Sequence, residues 1–235
     1  MIRLPWRRTN PLVPAKLEMI DAAFAKYGVT SFADLGGVWG VEGGYTFHAL
    51  DRFPQVRGML VDTHPTAAVT ERAKKYPQLE LVRGNFGDPA VAVRVGAVDA
   101  VFFFDVLLHQ VRPNWDEVLA MYGQARCLMI YNQQWTGPGE IVRLLDLGEE
   151  EYFRNVPHKR SHPIYADLFR KLDQPHPDHG GRVWRDVHHV WQWGISDAAL
   201  EAKAGALGYR LEFKKNFGSF GHLPQFENHG FLFVR

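Results

Sequence analysis

The stretch Ser31-Phe32-Ala33-Asp34-Leu35-Gly36-Gly37-Val38-Trp39-Gly40 constrains the fold most, because an apolar run that ends in an acid and breaks into glycines suits a buried strand opening into a ligand-binding turn. Glycines at 36, 37 and 40 allow a sharp turn and close approach of backbone to a ligand. A dinucleotide fingerprint needs G-x-G-x-x-G. Counted from Gly36, the required glycines are Val38 and Val41, and counted from Gly37 they are Trp39 and Glu42. A pyrophosphate loop of that type is therefore excluded, and a tight turn with no ligand stays as the bland alternative.

With 235 residues the chain can bury one sizeable core, and a single domain over 1–235 is expected. A formal net charge of +1 leaves no electrostatic footprint for a nucleic-acid backbone, so the expected ligand is small. Cys127 stands alone, which excludes an internal disulfide and fits a reducing compartment. Arg3, Arg7 and Arg8 have no apolar stretch behind them, and no later run is long enough to cross a membrane, so a cytoplasmic protein is expected.

Along the chain, Leu17, Ile20, Phe24 and Tyr27 recur at helical spacing, with Gly28 placed to cap the helix. After the glycine loop, 43–53 reads as a crossover helix and 57–62 as a second strand ending in Asp62. Residues 65–76 read as a helix with Pro65 in its first turn, and 79–82 as a third strand running into Gly84-Asn85-Phe86-Gly87-Asp88-Pro89. The most apolar strand, 98–105, leads into Val106-Leu107-Leu108-His109. Asn114 and Glu117 have capping-box spacing for a helix to 124, and 127–131 reads as a fifth strand. Ser196 caps a last helix, followed by strands at 209–213 and 230–234.

Asp34, Gly36 and Gly40 resemble motif I of the class I S-adenosylmethionine-dependent methyltransferases, with Val38 at the middle glycine. Asn85-Phe86 is similar to the Gly-Asp-Phe segment of O-methyltransferases in that family, and Val106 to His109 to its Val-Leu-x-His region. The resemblance covers roughly 30–132 and 190–235. It implies an α/β, doubly wound Rossmann-like seven-stranded sheet, mostly parallel with one antiparallel strand, plus a lid-like insertion after the fifth strand. It further implies S-adenosylmethionine as cofactor, held by Asp34, Gly36, Gly37, Trp39, Gly40, Asp62, Thr63, Asn85, Phe86 and Asp105. Asp62 is placed to accept from both ribose hydroxyls. Asn85 stands where the family's acid faces the adenine amino group, with Phe86 on the ring.

Residues 136–193 are too long for an ordinary connection and read as a substrate-binding insertion. Its histidines and tryptophans suit a flat or hydroxylated acceptor, with Gln134, Trp135, His188, His189, Trp191 and Trp193 as candidate substrate residues. A second small core with surface histidines is the alternative.

Methyl transfer to an alcohol needs alignment and removal of the hydroxyl proton. His109, just past the fourth strand, is the candidate base, titrating near 6 to 7, with His188 and His189 as its rivals and with Asp105 able to raise that value or to face the cofactor's ammonium. The sequence assigns no metal ligands. Mg2+ held by carboxylates such as Asp105 stays open, as does a homodimer. The expected partner is a small-molecule acceptor, with neither nucleic acid nor membrane. A non-catalytic adenosylmethionine-binding protein and an NAD(P)-dependent oxidoreductase are the rival readings.

Overall fold

Apolar runs closed by acids or glycines become strands, and the segments between them become helices that cover both faces of one sheet. The computed structural model describes residues 9–165, 167–187 and 190–235. In chain order α1 is Pro14–Tyr27, β1 Ser31–Leu35, α2 Gly44–Arg52, β2 Arg57–Asp62, α3 Ala67–Ala73 and β3 Leu79–Arg83. Next come α4 Pro89–Val95, β4 Ala100–Phe104, α5 Trp115–Met121, β5 Cys127–Trp135, β6 Ile141–Arg143, α6 Glu149–Arg154 and α7 Leu168–Lys171. The chain closes with β7 Trp193–Ile195, α8 Asp197–Ala206, β8 Arg210–Ser219 and β9 Phe226–Val234.

Seven strands form the sheet in the order β3-β2-β1-β4-β5-β9-β8. The first five pair in parallel, and β9 runs antiparallel to both β5 and β8. The winding direction reverses between β1 and β4, and a crevice outside the carboxyl ends of those two strands is where such sheets bind ligands. One face is packed by Trp115, Val118 and Leu119 of α5 and Ala199, Leu200 and Ala204 of α8 over Leu128, Ile130, Phe231 and Phe233. The other carries Met19, Ile20 and Phe24 of α1 and Tyr45, Ala49 and Leu50 of α2 over Phe32, Phe102 and Met129.

Several boundaries differ from the sequence expectation, each for a local reason. The third helix begins after Thr66, whose hydroxyl accepts from Val69 N, so Pro65 precedes the cap instead of entering the first turn. Asp88 caps an additional short helix, accepting from Ala90 N with Pro89 at its start. Helix α5 ends at Met121 instead of 124, with Glu117 closing the capping box on Asn114 N at 2.7 Å. Strand β5 runs to Trp135 instead of 131, because β9 pairs with it from Cys127↔Val234 to Trp135↔Phe226.

Between β5 and α8 the chain builds its own apolar cluster. Leu144, Tyr152, Tyr165, Leu168, Val190 and Trp191 pack with Trp135 and Phe226. Strand β6 pairs antiparallel with β7, fastening this segment's entry to its exit.

Candidate active site

At the carboxyl end of β1, Asp34 is 1% exposed. Its Oδ2 accepts from Thr46 Oγ1 at 2.6 Å, while Oδ1 is buried without a partner. Burial lifts its pKa to about 6, against the opposing Thr46 hydrogen bond, with a further push from the Asp62 charge. Gly36 and Gly40 adopt φ of +73° and +75°, the left-handed region that glycine enters without strain. Gly36 also lies close to Val106 and Phe86, where a Cβ would come within 2.9 Å and 3.3 Å of their side chains. Val38 turns into a cluster with Phe47, Leu60 and Val69. Trp39 is 71% exposed at the loop's tip.

The tip of β2 is tied to this loop. Asp62 Oδ2 accepts from Val38 N at 3.1 Å and Oδ1 from His64 N at 2.9 Å. Thr63, exposed beside it, pairs its hydroxyl with His64 Nδ1 at 2.8 Å. Past β3, Asn85 Oδ1 accepts from Gly87 N at 2.9 Å, closing the turn. The ring of Phe86 is buried beside Gly36, and its carbonyl accepts from Tyr122 Oη at 2.7 Å.

At the tip of β4, Asp105 takes a φ of +58° and donates its N–H to the Tyr131 carbonyl at 2.7 Å. Its carboxylate is held by Lys16 at Oδ2 and by Gln133 Nε2 at Oδ1, the latter at 2.8 Å. Lys16 is a site neighbour that sequence reasoning missed. It heads the buried stripe Lys16, Met19, Ile20, Ala23, Phe24, and that i, i+3, i+4 spacing was the available signal.

His109 lies in a short 3-10 turn, Leu107–His109, after Asp105. Its Nδ1 is 3.1 Å from the Val190 carbonyl oxygen. A carbonyl can only accept, so Nδ1 carries the proton in the neutral ring and Nε2 is the basic nitrogen. Burial lowers the pKa of His109, outweighing the Val190 carbonyl and Asp105, which both act to raise it. The expected titration near 6 to 7 therefore moves down, and Asp105 does not set its direction. The Trp191 ring meets the imidazole edge-on, centroids 6.2 Å apart.

The other acceptor candidates divide. Trp135 and Trp191 are 4% and 5% exposed and pack against Phe226, so they serve the core of the segment after β5 and offer no open face. Gln134 is fully buried in β5. Trp193 is half-buried, donates Nε1 to the Gln110 carbonyl at 2.6 Å and lies under the Arg143 guanidinium. His188 and His189 lie outside the described residues. The rings of His158 and His162 meet each other and Tyr165 at tilted or edge-on angles, and among the described residues no group of three or more His, Cys, Asp or Glu is arranged to hold a metal. No helix among those residues is long and apolar enough to cross a membrane.

No protein-family model matches the sequence, and a search of curated proteins finds no relative. Solved structures do match. An O-methyltransferase family protein from Burkholderia thailandensis aligns at a TM-score of 0.54 and 16% identity, over 94% of this chain and 56% of that one. The 1,6-didemethyltoxoflavin-N1-methyltransferase of the same organism, with bound 1,6-didemethyltoxoflavin and S-adenosylhomocysteine, aligns at 0.56 and 12%, over 94% and 78%. The N-terminal domain of EvdMO1, crystallised in the presence of S-adenosylhomocysteine and D-fucose, aligns at 0.58 and 14%, over 98% and 90%. The fold is that of the class I methyltransferases. This chain spans just over half the length of the first of those neighbours.

Within the methyltransferase fold, the residues at the switch point suit an adenosyl cofactor. Gly37 presses against Asp34, whose Oδ1 is a buried acceptor with no partner among the described residues. The Asp62 carboxylate accepts two backbone N–H groups and, with about four lone-pair sites, retains capacity for hydroxyls. At the tip of β4 the carboxylate of Asp105 already has two partners, Lys16 and Gln133.

Proposed function

We propose that the protein is an S-adenosylmethionine-dependent methyltransferase that methylates a hydroxyl of a small polar or aromatic-stacking acceptor, a sugar or glycoside among them. The observation that carries this reading is the tie between Asp62 and the glycine loop at the switch point of this strand order. It sets an acid at the tip of β2 beside a loop whose positive φ at Gly36 and Gly40 favours glycine. The hydroxylated acceptor draws support from the EvdMO1 domain, which was crystallised in the presence of D-fucose.

When bound, the cofactor supplies a methyl group on a sulfonium, whose departure leaves a neutral thioether. Asp62 binds the ribose hydroxyls, Gly36, Gly37 and Gly40 admit the cofactor against the backbone, and Asn85 and Phe86 serve the adenine. Trp39 and Thr63 border the same edge. His109 takes the acceptor's proton at Nε2, because its Nδ1 is committed to Val190. Its lowered pKa keeps the imidazole neutral, and thus basic, at physiological pH. Trp191 fixes the ring's edge, and the half-buried Trp193 borders the acceptor side.

A screen of hydroxylated acceptors, glycosides and phenols included, with labelled methyl donor tests the reading. Replacing His109 by Ala should lower kcat by roughly a hundredfold or more at nearly unchanged cofactor affinity. In the wild type, the acidic limb of the rate profile should report a group titrating below the ordinary histidine value of about 6.5. Near-normal turnover of His109→Ala across the pH range would remove it as the base.

A further inference from the structure

A cation is buried at the switch point. Lys16 is 2% exposed, and its Nζ lies 4.6 Å from the ring centroid of Tyr131, 5.1 Å from that of Tyr45 and 5.5 Å from that of Phe104. It pairs with Asp105 Oδ2. An ammonium has three donors to satisfy, and among the described residues its hydrogen-bond partner is the one carboxylate, so much of its charge rests on ring faces. Three aromatic rings and a carboxylate around one point are the chemistry that holds a sulfonium or a substituted ammonium. This cage stands at the carboxyl end of β4, where Asp105 lies, and beside Tyr131 midway along β5.

The segment leading into α1 grips the glycine loop. Asn10 N donates to Gly40 O at 2.7 Å, Leu12 fills the space a side chain at Gly44 would need, and Val13 N donates to Tyr45 Oη at 3.0 Å. Displacing the loop therefore displaces the strap that positions Lys16. An open surface depression lined by Val13, Ala15, Glu18, Tyr131, Lys215 and Phe217 borders the first turn of α1, so solvent and not packed core lies on that side of it.

We propose that Lys16 is a built-in occupant of the cation cage meant for the charged methionyl end of the cofactor, and that residues 10–16 form a strap that withdraws it when the cofactor enters. The inference rests on the methyltransferase reading. Lys16 thereby acts as an internal competitor, holding the cage formed until the cofactor's own cation replaces it. The Asp105 side chain is 41% exposed, so it stays within reach of solvent when the pair opens.

The test pairs a variant with a measurement on the unaltered protein. Lys16→Met keeps a long flexible side chain, removes the charge, and leaves no fully buried carboxylate behind. Calorimetry should find S-adenosylhomocysteine bound at least fivefold more tightly by Lys16→Met than by wild type. In wild type, the same ligand should speed amide hydrogen exchange over residues 10–16, a readout that does not depend on the variant folding. Equal or weaker binding by a folded Lys16→Met, or exchange over 10–16 that the bound ligand leaves unchanged or slows, overturns the strap and leaves the methyltransferase reading standing. Absence of binding to both proteins overturns both.

Discussion

Gly37 lies directly against Asp34, so that a Cβ at position 37 would stand 2.4 Å from Oδ2 and 2.7 Å from Oδ1 of a carboxyl that is itself 1% exposed. Neither group has room to yield, since Asp34 is fixed by Thr46 and sits inside the sheet. Gly37→Ala should therefore destabilise the fold by about 1–3 kcal/mol, the usual cost of forcing extra volume into a packed interior. Urea unfolding checks this, and an unchanged midpoint would mean that the loop is free to relax.

Asp34 should also make stability depend on pH. Its pKa is raised to about 6 in the folded state from 3.8 in the unfolded one. The folded protein thus binds more protons between those values, and Asp34's contribution is fully present below 3.8 and lost as pH rises through about 6. At about 1.36 kcal/mol per pKa unit, the loss approaches ~3 kcal/mol. Asp34→Asn, which keeps an oxygen for the Thr46 hydroxyl, should unfold at higher urea than wild type at pH 8. That advantage should shrink towards pH 4.

His229 gives a second and separable slope. Burial works against its charge, but Asp197 Oδ1 at 2.7 Å and Glu227 Oε2 at 3.3 Å prevail, and its pKa is raised. Its contribution is therefore full below the unfolded histidine value of about 6.5 and lost as pH rises through the higher folded value. His229→Asn should flatten that part of the wild-type stability profile, measured as the urea midpoint between roughly pH 6 and 8. A profile of unchanged steepness would remove His229 as its source.

Strands β1, β2 and β4 were legible in the sequence, because each has an apolar run closed by an acid or glycine, the signature of parallel strands inside a sheet, and the edge strand β3 was marked by its alternating Leu79 and Leu81 before Gly84. The far half of β5 was not. Asn132, Gln133 and Gln134 lie past the strand expected over 127–131, and what makes them strand is pairing with His229, Asn228 and Glu227, almost a hundred residues later. Lys16 was hidden for a related reason. A lysine near a helix start is ordinarily solvated, and its partner Asp105 is 89 residues away. Trp135 and Trp191 looked like open faces for a ligand, but the segment after β5 needs apolar volume for a cluster of its own and uses them there. Only the composition of that segment was readable, and composition does not say which rings point inward.

Calorimetric titration with S-adenosylhomocysteine, run beside NAD(P) and repeated on Asp62→Ala, tests the central claim most directly. The account predicts one S-adenosylhomocysteine site per chain in competition with S-adenosylmethionine. It further predicts that loss of the ribose hydrogen bonds in Asp62→Ala weakens binding by roughly 2–4 kcal/mol, about thirtyfold or more. Stoichiometric binding of NAD(P) with none of S-adenosylhomocysteine would contradict it.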